Sequence, residues 1–220
     1  MSFLPPAWGG DIVDDIRQAI QIDDAAEVET QLGRGADVNL ADEQGNTLLL
    51  LAVREESPAS VSLLLAAGAR VNQANAVGDT PLHLAAWNGN VPILRMLLDR
   101  GASVAANARG WTPLMYAAYA GHEAAVDLLL EAASPVDAAT RAGLTALMLA
   151  AMKGHEGIVR RLLAAGADPA QRSRDGKTAR DLARENGNTD VAEILAAAAA
   201  RGANDRADGS HEPPAPNIVP

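Results

Sequence analysis

Residues 78–86 read Gly78-Asp79-Thr80-Pro81-Leu82-His83-Leu84-Ala85-Ala86, which is the order of a helix start. Thr80 is a suitable N-cap, and Pro81 stands at the first helical position, where its missing N–H costs nothing. Leu82, Leu84, Ala85 and Ala86 then give the helix an inward apolar face, and Gly89 can take the left-handed conformation that ends it. A second helix is predicted over about residues 91–100, with Ile93, Leu94, Leu97 and Leu98 inward and a stop at Gly101. Residues 102–109 have the composition of a hairpin-like loop and lead into a new copy of the same pattern.

That copy is one of a series. Gly45-Asn-Thr-Leu, Gly78-Asp-Thr-Pro-Leu-His, Gly110-Trp-Thr-Pro-Leu-Met, Gly143-Leu-Thr-Ala-Leu-Met and Gly176-Lys-Thr-Ala-Arg-Asp begin at intervals of 33, 32, 33 and 33 residues. A second register agrees, because Gly35, Gly68, Gly101 and Gly166 fall on the same grid, each followed by Ala. A fixed spacing of this size marks a solenoid, in which each unit buries its apolar face only against its neighbours.

The units resemble ankyrin repeats. Thr80-Pro81-Leu82-His83-Leu84-Ala85 matches the family's most recognisable motif, and Gly-Ala-Asp-Val-Asn at 35–39, Gly-Ala-Arg-Val-Asn at 68–72 and Gly-Ala-Asp at 166–168 match its loop signature. The resemblance spans roughly residues 11–200 and implies an all-α fold, a solenoid of helix-turn-helix units joined by hairpin-like loops. The expected organisation is an N-terminal extension (1–10), a single repeat domain (11–201) and a disordered tail (202–220). Within the domain we expect a cap at 11–44, four units at 45–77, 78–109, 110–142 and 143–175, and a second cap at 176–201. Ile12, Ile16, Ile20, Val28 and Leu32 should face inward in the first cap. In the last, Arg180, Asp181, Arg184 and Glu185 replace apolar or small residues, as a unit with no further neighbour requires. Ala196 to Ala200 should prolong the last helix.

Three departures interrupt the pattern. Glu56 stands where an inter-helix Gly is expected, with Ser57-Pro58 offering a cap and start for the next helix. Ala133 occupies the second glycine register, and one residue is missing between Gly101 and Gly110. Together they predict an irregular loop or a change in curvature near the centre of the stack.

Composition bounds the function. Nearly half of the 220 residues are hydrophobic, with Ala and Leu carrying the share, which suits closely packed helices. Cysteine is absent, removing disulfides, thiolate nucleophiles and Cys-based zinc sites. The sequence shows neither a signal-peptide pattern nor a membrane span, so the expectation is a cytoplasmic protein with no membrane association. Phe3-Leu4-Pro5-Pro6-Ala7-Trp8 can be read either as packing on the first cap or as a docking strap.

No reaction chemistry assembles. His122 and His155 hold the same position in successive units, so stacking keeps them about 10 Å apart, too far to share a metal. Both read as structural residues near helix starts. The resemblance implies for His83 a structural hydrogen bond between neighbouring turns, and His211 lies in the tail. Ser57, Ser60 and Ser62 have no His–acid pair in their own unit, and capping accounts for Ser57. No phosphate-binding loop or metal-spaced cluster is present. The expectation is therefore a protein that is not an enzyme and takes no cofactor or metal.

Comparing the copies separates scaffold from free positions. The sixth residue after each motif Gly is Leu51, Leu84, Tyr116, Leu149 or Leu182, which places Tyr116 in the core. The residue directly after it is Asn46, Asp79, Trp111, Leu144 or Lys177, and the ninth is Arg54, Trp87, Tyr119, Met152 or Glu185. With no common physical demand, both series should face solvent. In ankyrin-like folds these positions lie on the concave hairpin and inner-helix side that usually contacts partners. Trp87, Trp111, Tyr119, Leu144 and Met152 would then form an exposed ridge, joined by Asn88, and clustered aromatics suit a binding hot spot.

Charge adds direction. Residues 1–44 hold ten acids against two bases, whereas 141–184 hold nine bases against four acids. Lys153, Arg172, Arg174 and Lys177 would steer a partner whose apolar segment is flanked by acids. The formal net charge of −10 opposes nucleic-acid binding. The reading is a monomeric protein–protein interaction module, an adaptor or regulatory binding protein. An accessory subunit that stabilises an enzyme complex is the alternative.

Overall fold

The computed structural model describes residues 11–207. Residues 1–10 and 208–220, and the side chains of 11–13 and 201–207, lie outside the described residues, and with them the readings made for Phe3 to Trp8, Ile12, His211 and most of the tail. Twelve helices and no strand occur among the described residues, and the helices follow one another in antiparallel pairs. The pairs are α1 (Asp11–Gln21) with α2 (Ala25–Gly33), α3 (Leu48–Arg54) with α4 (Pro58–Ala66), and α5 (Pro81–Asn88) with α6 (Val91–Asp99). They continue as α7 (Pro113–Ala120) with α8 (Glu123–Glu131), α9 (Ala146–Lys153) with α10 (Glu156–Ala164), and α11 (Ala179–Glu185) with α12 (Thr189–Ala207). The last helix runs past the boundary at residue 201 that composition suggests.

The first helix of each pair begins as its sequence dictates. Thr47, Thr112, Thr145 and Thr178 each accept the N–H three residues on, satisfying an amide that the helix itself cannot. Pro81 and Pro113 occupy the first turn of their helices. The first helices pack closely because small residues line their shared faces: Ala85, Ala86, Ala117, Ala118, Ala150 and Ala151 are almost completely buried. From the second pair on, the first helices lie in closer contact with one another than the second helices do. Their leucines and isoleucines, Ile93, Leu94 and Leu97 among them, fill the space between layers. Each such side chain, fully buried, contributes about 1.5–3 kcal/mol. Leu84 and Leu98 are only half-buried.

The first cap buries Ile16, Ile20 and Val28 and leaves Leu32 partly covered. Ser57 does not cap as expected. Its hydroxyl donates to the Ile20 carbonyl at 2.6 Å, and α4 is capped from the preceding pair by Asp23, whose carboxylate accepts from Ser60 N–H at 2.8 Å and Ala59 N–H at 3.2 Å. The non-glycine residues at the two irregular registers take the glycine conformation regardless: Glu56 has φ +55° and Ala133 φ +57°. For an L-residue this costs about 1–2 kcal/mol.

Candidate functional site

Four aromatic side chains meet where α5 and the loop before α7 face α7. Trp87, at the end of α5, stacks on Tyr119 of α7 with centroids 6.1 Å apart and planes inclined by 20°. Trp111, in the hairpin before α7, lies 5.9 Å from Tyr119 and 5.1 Å from Tyr116. Tyr116 presents its edge to both Trp87 and His83, at 6.0 and 5.7 Å. Tyr116 is thus not a core residue. It is half-buried, with its ring inside the aromatic group and its hydroxyl among Asp79, Asn107 and Arg109 of the hairpins before α5 and α7. A leucine at this register has no polar atom to place, whereas the phenol must find a partner, and it finds Asp79.

Asp79 corrects the second expectation. It follows a motif Gly and should face solvent, yet only 7% of it is exposed. Its carboxylate accepts from the Tyr116 hydroxyl at 2.9 Å, Asn107 Nδ2 at 2.7 Å and Arg109 Nη2 at 3.1 Å. Burial, with the hydrogen bond to Asp79, raises the tyrosine above its ordinary value. Asn46, Trp111, Leu144 and Lys177, at the same register, are half-buried as well. Asn46 accepts from Asn75 of the next hairpin, and Trp111 and Leu144 pack on the core.

The histidines are fasteners between pairs. The Thr80 N–H donates to His83 Nδ1 at 3.3 Å, which leaves the proton on Nε2 for the Trp111 carbonyl at 3.1 Å. Burial lowers the His83 ring below its ordinary value and so favours this neutral form. His122 Nε2 reaches the Trp87 carbonyl at 2.9 Å, and His155 Nε2 the Tyr119 carbonyl at 3.2 Å. Asn188 makes the equivalent bond to Met152 at 3.0 Å. These contacts run between pairs, beyond the local role near a helix start that the sequence suggests. They also constrain Gly89 and Gly121, which have positive φ and meet the incoming rings of His122 and His155 so closely that neither has room for a Cβ. Asn88, read from the sequence as a partner contact, is half-buried and donates to the Val53 carbonyl at 3.3 Å.

What remains open is a shallow depression of about 450 Å3 lined by Trp87, Tyr119, Ala120, His122, Lys153 and His155. Trp87 is its most available aromatic, 46% exposed. Lys153 is exposed at the end of α9 and holds its ammonium 4.5 Å from the Tyr119 ring centre, a cation–π arrangement. The structure therefore brings together Trp87, Tyr119 and Lys153, with Trp111 behind them. Leu144 and Met152 are half-buried against the core and do not line the depression. Arg172, Arg174 and Lys177 also stand off it: Arg172 donates to the Gly176 carbonyl, Lys177 pairs with Glu185 at 2.7 Å, and Arg174 is exposed.

Among the described residues no group of three or more His, Cys, Asp or Glu side chains is placed to hold a metal ion, and no helix is long and apolar enough to cross a membrane. Comparison with family models gives a match to ankyrin repeats in three copies over residues 16–108 and 134–206, and to the single ankyrin repeat over residues 109–141. No curated protein shows a significant match to the chain.

Proposed function

The chain belongs to the ankyrin-repeat family, whose repeats are generally protein–protein interaction modules, and we propose that it is an adaptor or regulatory binding protein whose partner docks on the depression around Trp87, Tyr119 and Lys153. The observation that carries this reading is the exposed Trp87 stacked on Tyr119 beside a cation. A rigid aromatic plane offers large contact area at little loss of rotamer freedom, and burying it on binding is worth more than burying any other side chain on this face. Among the described residues Lys153 has no acidic partner, whereas Lys177 and Arg161 are both paired. An apolar partner segment flanked by acids would complement that arrangement, with the carboxylate on the lysine and the apolar side chain on Trp87. A cytoplasmic location, a monomeric free state and the lack of catalytic activity complete the proposal. The last is supported by the commitment of His83, His122 and His155 to backbone carbonyls.

The test is partner capture from cells of the source with the wild type and with Trp87→Ala/Lys153→Glu, both checked for the same thermal midpoint. Loss of the captured protein with the midpoint preserved is expected. Undiminished capture by the double variant sinks the assignment of this face.

A further inference from the structure

The five junctions of the stack are not stitched alike. The outer side is formed by each second helix and the first residues of the loop that follows it, as far as Asn39, Asn72, Ala105 and Asp137. Between the first two pairs, Arg70 N–H donates to Asn39 Oδ1 at 2.8 Å. Between the second and third, Ser103 N–H donates to Asn72 Oδ1 at 2.8 Å, Asn72 Nδ2 to the Gly101 carbonyl at 3.1 Å, and Arg100 to the Leu65 carbonyl. Between the fourth and fifth, Asp168 N–H donates to Asp137 Oδ1 at 3.0 Å, and Arg161 bridges Glu123 and Asp127. Asn39, Asn72 and Asp137 occupy one register, and Arg70, Ser103 and Asp168 another.

At the junction of the third and fourth pairs these registers hold Ala105 and Pro135. Alanine has no side-chain acceptor and proline no N–H, so both halves of the bond are missing together. Among the described residues no hydrogen bond or ion pair links residues 91–105 to residues 123–138, and the bond between the loops that follow, from Arg141 Nη2 to the Ala108 carbonyl at 2.9 Å, lies further along, at the hairpins on the inner side. The strained Ala133 and the one-residue deletion fall in the same loops. The inner side of this junction is the most heavily joined in the molecule, by the aromatic group, the Asp79 cluster and the bonds of His83 and His122. Apolar contact alone holds the outer side. Such contact is non-directional and lets packed helices slide, whereas hydrogen bonds fix their separation.

We infer that the stack hinges between α6 and α8, with the aromatic seam as its pivot, so that the first three pairs move as one body against the fourth and fifth.

The chain has no cysteine, so label pairs can be introduced freely. Ala66, Asp99, Glu131 and Ala164 occupy the same exposed position near the end of successive second helices. Spin-label distance distributions would be measured for Ala66→Cys/Asp99→Cys, Asp99→Cys/Glu131→Cys and Glu131→Cys/Ala164→Cys. The central pair should be about twofold broader than its neighbours. Adding Ala105→Asn with Pro135→Ser restores acceptor and donor and should narrow it to their width, whereas either substitution alone should leave it broad. Equal widths for all three pairs overturn the hinge, as does a central width that the double repair leaves unchanged.

Discussion

His122 Nε2 lies 2.9 Å from the carbonyl oxygen of Trp87, so the exposed tryptophan of the proposed docking face is held by the helix start of the following pair. The bond fixes the backbone of Trp87 and leaves its side chain available. On the proposed function, stability and recognition are thereby divided between two parts of one residue.

Trp87 and Trp111 should consequently respond differently to truncation. Trp111 is half-buried against the core and in contact with both tyrosines. Trp111→Ala should cost about 2–3 kcal/mol of stability, and Trp87→Ala no more than about 1 kcal/mol, as read from urea midpoints. Equal losses would show that Trp87 is scaffold. For the same reason a binding test that removes both tryptophans confounds capture with unfolding, and Lys153 is the better second site.

Asp79 joins three donors, and Asp79→Ala would leave the Tyr116 hydroxyl without its acceptor and the Asn107 amide with only its longer bond to the Tyr116 oxygen, in a partly buried site. A loss of about 2–3 kcal/mol is expected. Tryptophan emission should shift as well, because Trp111 rests on Tyr116. Unchanged emission and midpoint would mean that the cluster is only a solvated surface feature.

Ala133→Gly should stabilise the protein by about 0.5–1 kcal/mol, since relief of the left-handed strain exceeds the added freedom of the unfolded chain. Gly89→Ala should act in the opposite sense and more strongly, because the conformation is strained and the methyl group meets the His122 ring. Thermal melts of the two variants decide it.

Acidification should weaken the stack in two steps. Burial holds the His83 ring below its ordinary 6.5, so between that value and the folded one the unfolded chain binds a proton that the folded chain refuses. Stability is complete above 6.5 and declines as the pH falls through that window. Asp181, held below 3.8 by the Thr178 N–H and hydroxyl, adds a second decline at lower pH. His83→Gln should flatten the first step and leave the second, measured as midpoint against pH.

The helix pairs were legible because their signals are local: a Thr before an apolar run, a Pro in the first turn, a Gly at a fixed spacing. The open part of the site was legible too, since Trp87 and Tyr119 stand at a register where other copies carry Arg54 or Glu185. Variation among copies was misleading at the position after the motif Gly. Asn46, Asp79 and Trp111 differ because each answers a different group in a neighbouring copy: Asn75 for the first, Arg109 and Tyr116 for the second, His83 through a carbonyl for the third. A position with no demand in common still carries a demand of its own. Comparing each unit with its successor, as with Ala105 and Pro135, exposes that dependence, whereas comparing all units at one position averages it away.

The bonds from Ser57 to Ile20, His122 to Trp87, His155 to Tyr119 and Asn188 to Met152 reach back 35 to 37 residues. During synthesis, therefore, each carbonyl waits only for the next unit to emerge before it is covered. The stack can be completed in the order in which it is translated, and a nascent chain halted at any point leaves one unfinished rung, at its growing end.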